Sequence, residues 1–184
     1  MEQFKQGYLN GQVFMTGNLQ RVDGIVVMDK SEELYIKKGV EKLYNKYSPD
    51  SVLELGFGLG LTADKWQEMG ITRHVIIESH PVIYQQALEW KEGFPDADIE
   101  IIQSFSQEYI TEEKFDLVYD DRSDFFYEET PTDFTEYNQE MFKWLNIGGV
   151  LSANALPGET HPRFNDGFYF NLNNIRYFQP CILS

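Results

Sequence analysis

Three alternating glycines, Gly56, Gly58 and Gly60, follow an apolar run that ends at Leu55. Glycine adopts backbone angles that other residues avoid, and it lets a bound molecule approach the main chain closely. A second apolar run ends in a carboxylate, Glu78, about twenty residues after the turn, where folds that bind adenosine-containing cofactors place the group that grips the ribose hydroxyls. The two features together predict a site for an adenosyl cofactor.

The spacing of the glycines distinguishes between cofactors. A dinucleotide fingerprint requires a further glycine at position 61, where this chain has Leu61. S-adenosylmethionine carries no phosphate, so its loop needs glycines chiefly for close approach of the backbone and of the helix terminus. We therefore predict that the glycine turn with its Phe57 binds S-adenosylmethionine, which indicates methyl transfer. Glu54, just before the turn, either reaches the ammonium group of the cofactor or caps the turn.

Further candidate residues stand at the ends of later apolar runs. Ser104 and Phe105 follow the third predicted strand, where the adenine base is expected, although Phe105 is equally explained as a core residue. Asp120 ends the fourth strand and Asn154 follows the fifth. Because ligands of open parallel sheets lie beyond the carboxyl ends of the strands, we expect these residues to meet near Glu78.

Alternating strands and helices must position these residues. Strands are predicted at residues 51–55, 74–78, 99–102, 115–119 and 150–153. Helices are predicted at 34–47, 61–69 and 81–93 and from Pro131 through Leu145, and the tail from Phe168 suggests a terminal hairpin. This pattern predicts an α/β fold with a doubly wound, mostly parallel sheet and a C-terminal antiparallel hairpin.

The 184 residues are expected to form a single domain. Residues 1–50 would cover the substrate, residues 51–155 would form the cofactor-binding core, and residues 156–184 would supply shortened C-terminal strands. No apolar run approaches a membrane span, and the start lacks a secretory pattern. We therefore expect a cytoplasmic protein, monomeric or homodimeric, that does not bind membranes.

Charge and cysteine content exclude other classes. The net charge of −15 repels phosphate backbones, so a nucleic-acid partner is not expected. Cys181 is the only cysteine in the sequence, which rules out an internal disulfide or a thiolate metal cluster, and the three histidines are scattered. No metal site is predicted.

Five segments of the chain resemble guanidinoacetate N-methyltransferase and its relatives that methylate guanidino nitrogens. They cover residues 19–29, 52–58, 75–78, 115–120 and 148–152. Most of these segments are shared by many class I methyltransferases. The Val-Met stretch ending at Asp29 and the Tyr119-Asp120 pair are the parts typical of this branch.

The resemblance implies a Rossmann-like class I methyltransferase that acts on a small guanidino or cationic amine. It implies that Asp29 and Asp120 hold the guanidinium between them, and a planar guanidinium does match carboxylates bidentately. Asp120 is the candidate base, because a carboxylate must orient the delocalised nitrogen and accept its proton. Alternatively, Asp29 begins a capping box with Glu32.

Three other functions are compatible with the same residues. An aminopropyltransferase or an enzyme that cleaves S-adenosylmethionine would keep the fold and change the reaction. A non-catalytic protein that binds the adenosyl cofactor would keep the fold without chemistry, since fold does not determine function.

Overall fold

The N-terminal region begins with a helix and a small antiparallel sheet in the computed structural model, which describes residues 2–122, 141–153, 171–172 and 175–178. Helix α1 (Glu2–Leu9) precedes strands β1 (Val13–Thr16), β2 (Leu19–Val22) and β3 (Ile25–Asp29), which pair in that order. A short 3-10 helix (Lys30–Glu32) leads into α2 (Glu33–Tyr47). Only α2 is predicted from the sequence here, because the short strands alternate too weakly between apolar and polar residues.

The remaining elements follow the predicted alternation. They are β4 (Ser51–Leu55), α3 (Leu61–Met69), β5 (Arg73–Glu78), α4 (Pro81–Lys91), β6 (Asp98–Gln103), β7 (Phe115–Asp120), β8 (Leu145–Ala153), β9 (Asn171–Leu172) and β10 (Ile175–Phe178). Within the described residues, seven strands form one sheet in the order β6-β5-β4-β7-β8-β10-β9. Along this order, each pair of neighbouring strands from β6 through β5, β4, β7 and β8 to β10 is parallel. The last strand, β9, pairs antiparallel with β10. The predicted mostly parallel sheet with an antiparallel end is confirmed.

Local signals explain the ends of the helices beside the sheet. Gly60 and Gly70 bracket α3 with φ of +73° and +82°, angles that favour glycine. Pro81 occupies the first turn of α4, and the His80 side chain accepts a hydrogen bond from the Val82 N–H. His80 thus caps the start of this helix.

Apolar side chains cover both faces of the sheet. One face buries Leu53, Leu55 and Val118 against Trp144. The other face packs against the helices through clusters that include Trp66. Burial of these side chains, each stabilising by about 1.5–3 kcal/mol, fixes the strand register that brings the strand ends together.

One predicted boundary is wrong, and several predicted features lie outside the described residues. Leu145, predicted at the end of a helix, is the first residue of β8 and pairs with Phe115. The pairing of β7 with β8 shifts register between Phe115 and Leu117. A Cβ on Gly149 would lie 3.0 Å from the Asn146 carbonyl oxygen, so the chain is tightly packed here. Gly148 and Gly149 therefore belong to an irregular part of β8. Residues 131–140 of the predicted helix, Asn154 and the start of the hairpin at Phe168 fall in the part not described, while residues 141–142 are helical. None of the described helices is both long and apolar enough to cross a bilayer.

Candidate functional site

A cleft that opens to solvent lies at the carboxyl ends of the parallel strands. The predicted residues that line it are Gly56, Gly58, Glu78, Ser104 and Phe105. Tyr8 from α1 and Arg122, directly after β7, also line it. Strand register explains the convergence, since Leu55 pairs with both Ile77 and Asp120. The cleft therefore occupies the edge where ligands of open parallel sheets bind.

The glycine turn passes close to neighbouring chain segments. Gly56 has a φ of +94°, and a Cβ there would lie 3.0 Å from the main-chain oxygen of Asp121. Gly58 has a φ of +55°, and its Cβ would lie 2.9 Å from the Met28 methyl group. Any other residue would be strained by its angle and by its surroundings. Gly60 starts α3 and contributes no surface to the cleft.

Glu78 ties the turn to the next helix. One carboxylate oxygen accepts the Phe57 N–H at 3.0 Å, and the other accepts the His80 N–H at 2.7 Å. Burial raises the pKa of this carboxyl although the backbone hydrogen bonds act in the opposite direction. Glu78 is thus an acceptor-rich group on the cleft wall whose position is fixed by the main chain.

Helix α1 closes the end of the cleft at Phe105. The ammonium group of Lys5 lies 4.8 Å from the centre of the Phe105 ring and 2.5 Å from Glu108. Tyr8 packs edge-on against His80, and burial together with the nearby Glu78 raises the pKa of its hydroxyl. The contribution of α1 is missed in the sequence, because no motif or strong apolar stripe marks these positions.

Asp120 does not face open solvent but pairs with Arg122. The Arg122 Nε donates to one carboxylate oxygen at 2.6 Å, and its Nη2 donates to the other at 2.7 Å. The Nη1 of the same guanidinium donates to Ser106 Oγ at 2.6 Å. The adjacent Asp121 carboxylate instead accepts the Thr62 hydroxyl of α3 at 2.6 Å. The predicted base therefore does not line the cleft itself; it is paired with Arg122, a guanidinium of the chain that does.

Two other predicted site residues lie away from the cleft wall. Glu54 is fully buried and hydrogen-bonds His74 Nε2 at 2.9 Å, while Gln67 contacts the other ring nitrogen at 3.1 Å. Burial raises the pKa of Glu54 well above its ordinary value and lowers that of His74 to about 3. Asp29 caps the short 3-10 helix, accepting the Ser31 N–H at 2.8 Å. Asp29 is therefore a cap, but of the short 3-10 helix and through Ser31, which differs from the expected capping box with Glu32 at the start of α2.

A second groove, also open to solvent, lies beside the turn, between the N-terminal sheet and α4. Its lining includes Phe14, Met15, Phe57, Leu59 and Trp90, and none of its lining residues is charged. Phe57 therefore lines this groove and not the cleft. The first cleft has the groups that a polar, cationic cofactor needs, so we take it as the candidate site.

Comparison with known families gives one match. The model of the family described as guanidinoacetate N-methyltransferase matches residues 15–160 of this chain. The matched region includes the glycine turn, Glu78, Phe105 and Asp120. No curated protein matches the chain at a significant level.

Several solved structures similar to this chain are methyltransferases. N-methyltransferase NodS from Bradyrhizobium japonicum WM9 is 21% identical with a TM-score of 0.57, over 74% of this chain and 75% of NodS. DesVI from Streptomyces venezuelae is 18% identical with a TM-score of 0.54, over 77% of this chain and 57% of DesVI. A methyltransferase from Thiobacillus denitrificans, crystallised with S-adenosyl-L-homocysteine, is 18% identical with a TM-score of 0.51, over 62% of this chain and 46% of that protein. The chain thus spans about half the length of the last two. These similarities establish a Rossmann-like methyltransferase fold.

Proposed function

Because the chain belongs to the guanidinoacetate N-methyltransferase family, we propose that it transfers a methyl group from S-adenosylmethionine to a nitrogen atom of a small guanidino or cationic amine. The observation that carries the proposal is the cleft that gathers the glycine turn, Glu78 and Phe105 at one edge of the sheet, where its lining residue Arg122 is paired with Asp120. The family match alone does not fix the acceptor, so the acceptor class rests on the chemistry of Asp120.

The residues of the cleft fit an adenosyl cofactor. The positive φ angles of Gly56 and Gly58 bring main-chain atoms to the surface without intervening side chains. Glu78 supplies carboxylate oxygens for the ribose hydroxyls, and Phe105 supplies a ring face for adenine. When bound, S-adenosylmethionine supplies a methyl group made electrophilic by the sulfonium charge. Within this proposal Glu54 does not contact the cofactor, because it is buried just before the turn and hydrogen-bonds His74.

The acceptor site is proposed at Asp120. The side chain of Asp120 is 1% exposed, and a carboxylate held in such surroundings attracts a cation strongly. It would orient the attacking nitrogen and accept its proton as the carbon–nitrogen bond forms. The net charge of −15 favours the approach of a cationic acceptor. Asp29 is retained as a second carboxylate for the acceptor, provided that it releases the Ser31 N–H.

Two measurements test this proposal. Isothermal titration of the protein with S-adenosylhomocysteine should give binding in the micromolar range, and its absence would remove the cofactor assignment. Mass spectrometry of incubations with guanidinoacetate, arginine, agmatine and polyamines should then reveal a product heavier by one methyl group. Binding without any methylated product would indicate a cofactor-binding protein, and turnover only with decarboxylated S-adenosylmethionine would indicate an aminopropyltransferase.

A further inference from the structure

We propose that Arg122 is an internal competitor for the acceptor site and sets its specificity for guanidino compounds. The inference rests on the proposed function, because it takes Asp120 as the carboxylate that receives a cationic acceptor. A guanidino acceptor would then bind Asp120 only after Arg122 has left it.

The geometry of the pair supports this role. Arg122 presents the same guanidinium as the proposed acceptor, and it uses both carboxylate oxygens of Asp120 in a fork of 2.6 and 2.7 Å. A second guanidinium cannot form the same planar, bidentate pairing while the first is in place. Competition therefore concerns one set of atoms rather than general electrostatic repulsion.

The position of the pair distinguishes it from a purely structural ion pair. Arg122 lines the cleft, and its side chain is 10% exposed against 1% for Asp120. A hydrogen bond from Arg122 Nη1 to Ser106 Oγ, at 2.6 Å, holds the guanidinium against the segment that follows Phe105. The internal cation thus lies between the proposed cofactor site and the proposed acceptor site.

The burial of Asp120 explains why replacement of Arg122 by another guanidinium is favoured over the departure of Arg122 alone. Removing a cation from a buried carboxylate leaves an uncompensated charge, which is strongly unfavourable. Replacing one guanidinium by another keeps Asp120 paired, so an incoming guanidino compound can displace Arg122 where water cannot. An acceptor without a forked cation would lack this ability, and this difference is the specificity that Arg122 provides.

The first test uses methylguanidinium as the probe. Isothermal titration in the presence of S-adenosylhomocysteine should show about tenfold tighter binding to Arg122→Met than to the wild type, because the competitor is gone. The matched control is Arg73→Met, which removes an arginine paired with carboxylates at the opposite end of the sheet and should leave the affinity unchanged. Equal or weaker binding to folded Arg122→Met would overturn the proposal.

A second test does not depend on the stability of that variant. In wild-type protein labelled with nitrogen-15, the Arg122 Nε–H signal can be assigned with Arg122→Lys, which keeps a cation beside Asp120. Methylguanidinium should move this signal towards the position of exposed arginines, and a signal unchanged at saturation would overturn the proposal. Displacement of Arg122 without methyl transfer to any acceptor would count against the proposed function alone. Methyl transfer with an unmoved Arg122 signal would count against the competitor role alone.

Discussion

The two ends of the parallel sheet both carry an arginine paired with carboxylates, and the arginine at the carboxyl ends lines the cleft described above. At the amino ends, Arg73 contacts Glu113 at 2.9 Å and Glu100 at 2.5 Å, and these acids are 38% and 51% exposed. At the carboxyl ends, Arg122 pairs with a nearly inaccessible Asp120. The same pairing therefore lies on a solvated surface at one end and, at the other, is nearly buried beside the cleft where we propose the ligand site.

The difference follows from how each end uses its backbone. At the amino ends, Asp116 accepts the Asp50 and Ser51 N–H groups at 3.1 and 3.0 Å and the Asn146 amide at 3.0 Å. Burial would raise the pKa of Asp116, but these hydrogen bonds outweigh it and the net pKa is lowered. At the carboxyl ends, the glycine turn instead lines a cleft that opens to solvent. Hydrogen bonds to the main chain stabilise the fold at the amino ends, whereas the cleft at the carboxyl ends has room for a bound molecule.

The largest expected effect comes from the two acids of β7, one at each end. Asp120→Asn should lower kcat by about 10²–10⁴-fold, because it removes the proposed proton acceptor, while the affinity for S-adenosylhomocysteine stays within about threefold. Asp116→Asn should leave kcat unchanged and lower the free energy of unfolding by about 1 kcal/mol, through weaker hydrogen bonds. Steady-state kinetics and urea unfolding measure both. Equal kcat values for the two variants would remove Asp120 from the reaction.

The next effect concerns cofactor affinity and compares two acids, Glu78 at the carboxyl end of β5 and Glu100 within β6. Glu78→Gln should weaken S-adenosylhomocysteine binding by about a hundredfold, since it removes a charged acceptor for hydroxyl groups. Glu100→Gln, an acid that pairs with Arg73 instead, should bind normally. Isothermal titration provides the comparison. The role of Glu78 would be contradicted by unchanged affinity in a variant whose circular dichroism matches that of the wild type.

A smaller effect is expected from two glycines with similar backbone angles. Gly58 (φ of +55°) lines the cleft, and Gly17 (φ of +61°) has open space around its Cβ position. Each change to alanine should cost about 1 kcal/mol of unfolding free energy through the angle. Only Gly58→Ala should also weaken cofactor binding, by about tenfold, because its Cβ displaces Met28 and narrows the turn. Equal affinities in the two variants would show that the turn does not contact the ligand.

The smallest effect is on stability at the amino ends. Arg73→Met should lower the free energy of unfolding by about 0.5–1 kcal/mol at neutral pH, a modest value because its partners are solvated and screened. The hydrogen bond from Arg73 lowers the pKa of Glu113, so this pair stabilises the fold above the ordinary pKa of 4.5 and loses its effect as the pH falls below it. Urea unfolding at several pH values should therefore show the variant and the wild type converging in acid. A difference that persists in acid would contradict this origin.

The sequence predicts most strands of the sheet and the glycine turn well, because apolar runs and closely spaced glycines are local signals. It predicts β8 poorly, since the irregular pairing around Gly149 depends on contact with β7. It places Glu78 at the cleft correctly but does not reveal that main-chain N–H groups hold its oxygens.

The missed parts of the site depend on contacts between distant segments. Nothing local indicates that Tyr8 reaches the cleft or that Glu54 turns inward to His74. The Asp120-Arg122 fork joins residues only two positions apart, yet its importance is visible only when the strand end is placed at the cleft. Tertiary packing decides these contacts, and a single sequence carries little trace of it.

A crystal structure with bound S-adenosylhomocysteine tests the central claim most directly. The account predicts its ribose hydroxyls within hydrogen-bond distance of Glu78, its adenine against Phe105 and its sulfur on the side of the cleft that holds Asp120. A ligand bound in the apolar groove beside Trp90, or a cleft left empty at saturating concentration, would contradict it.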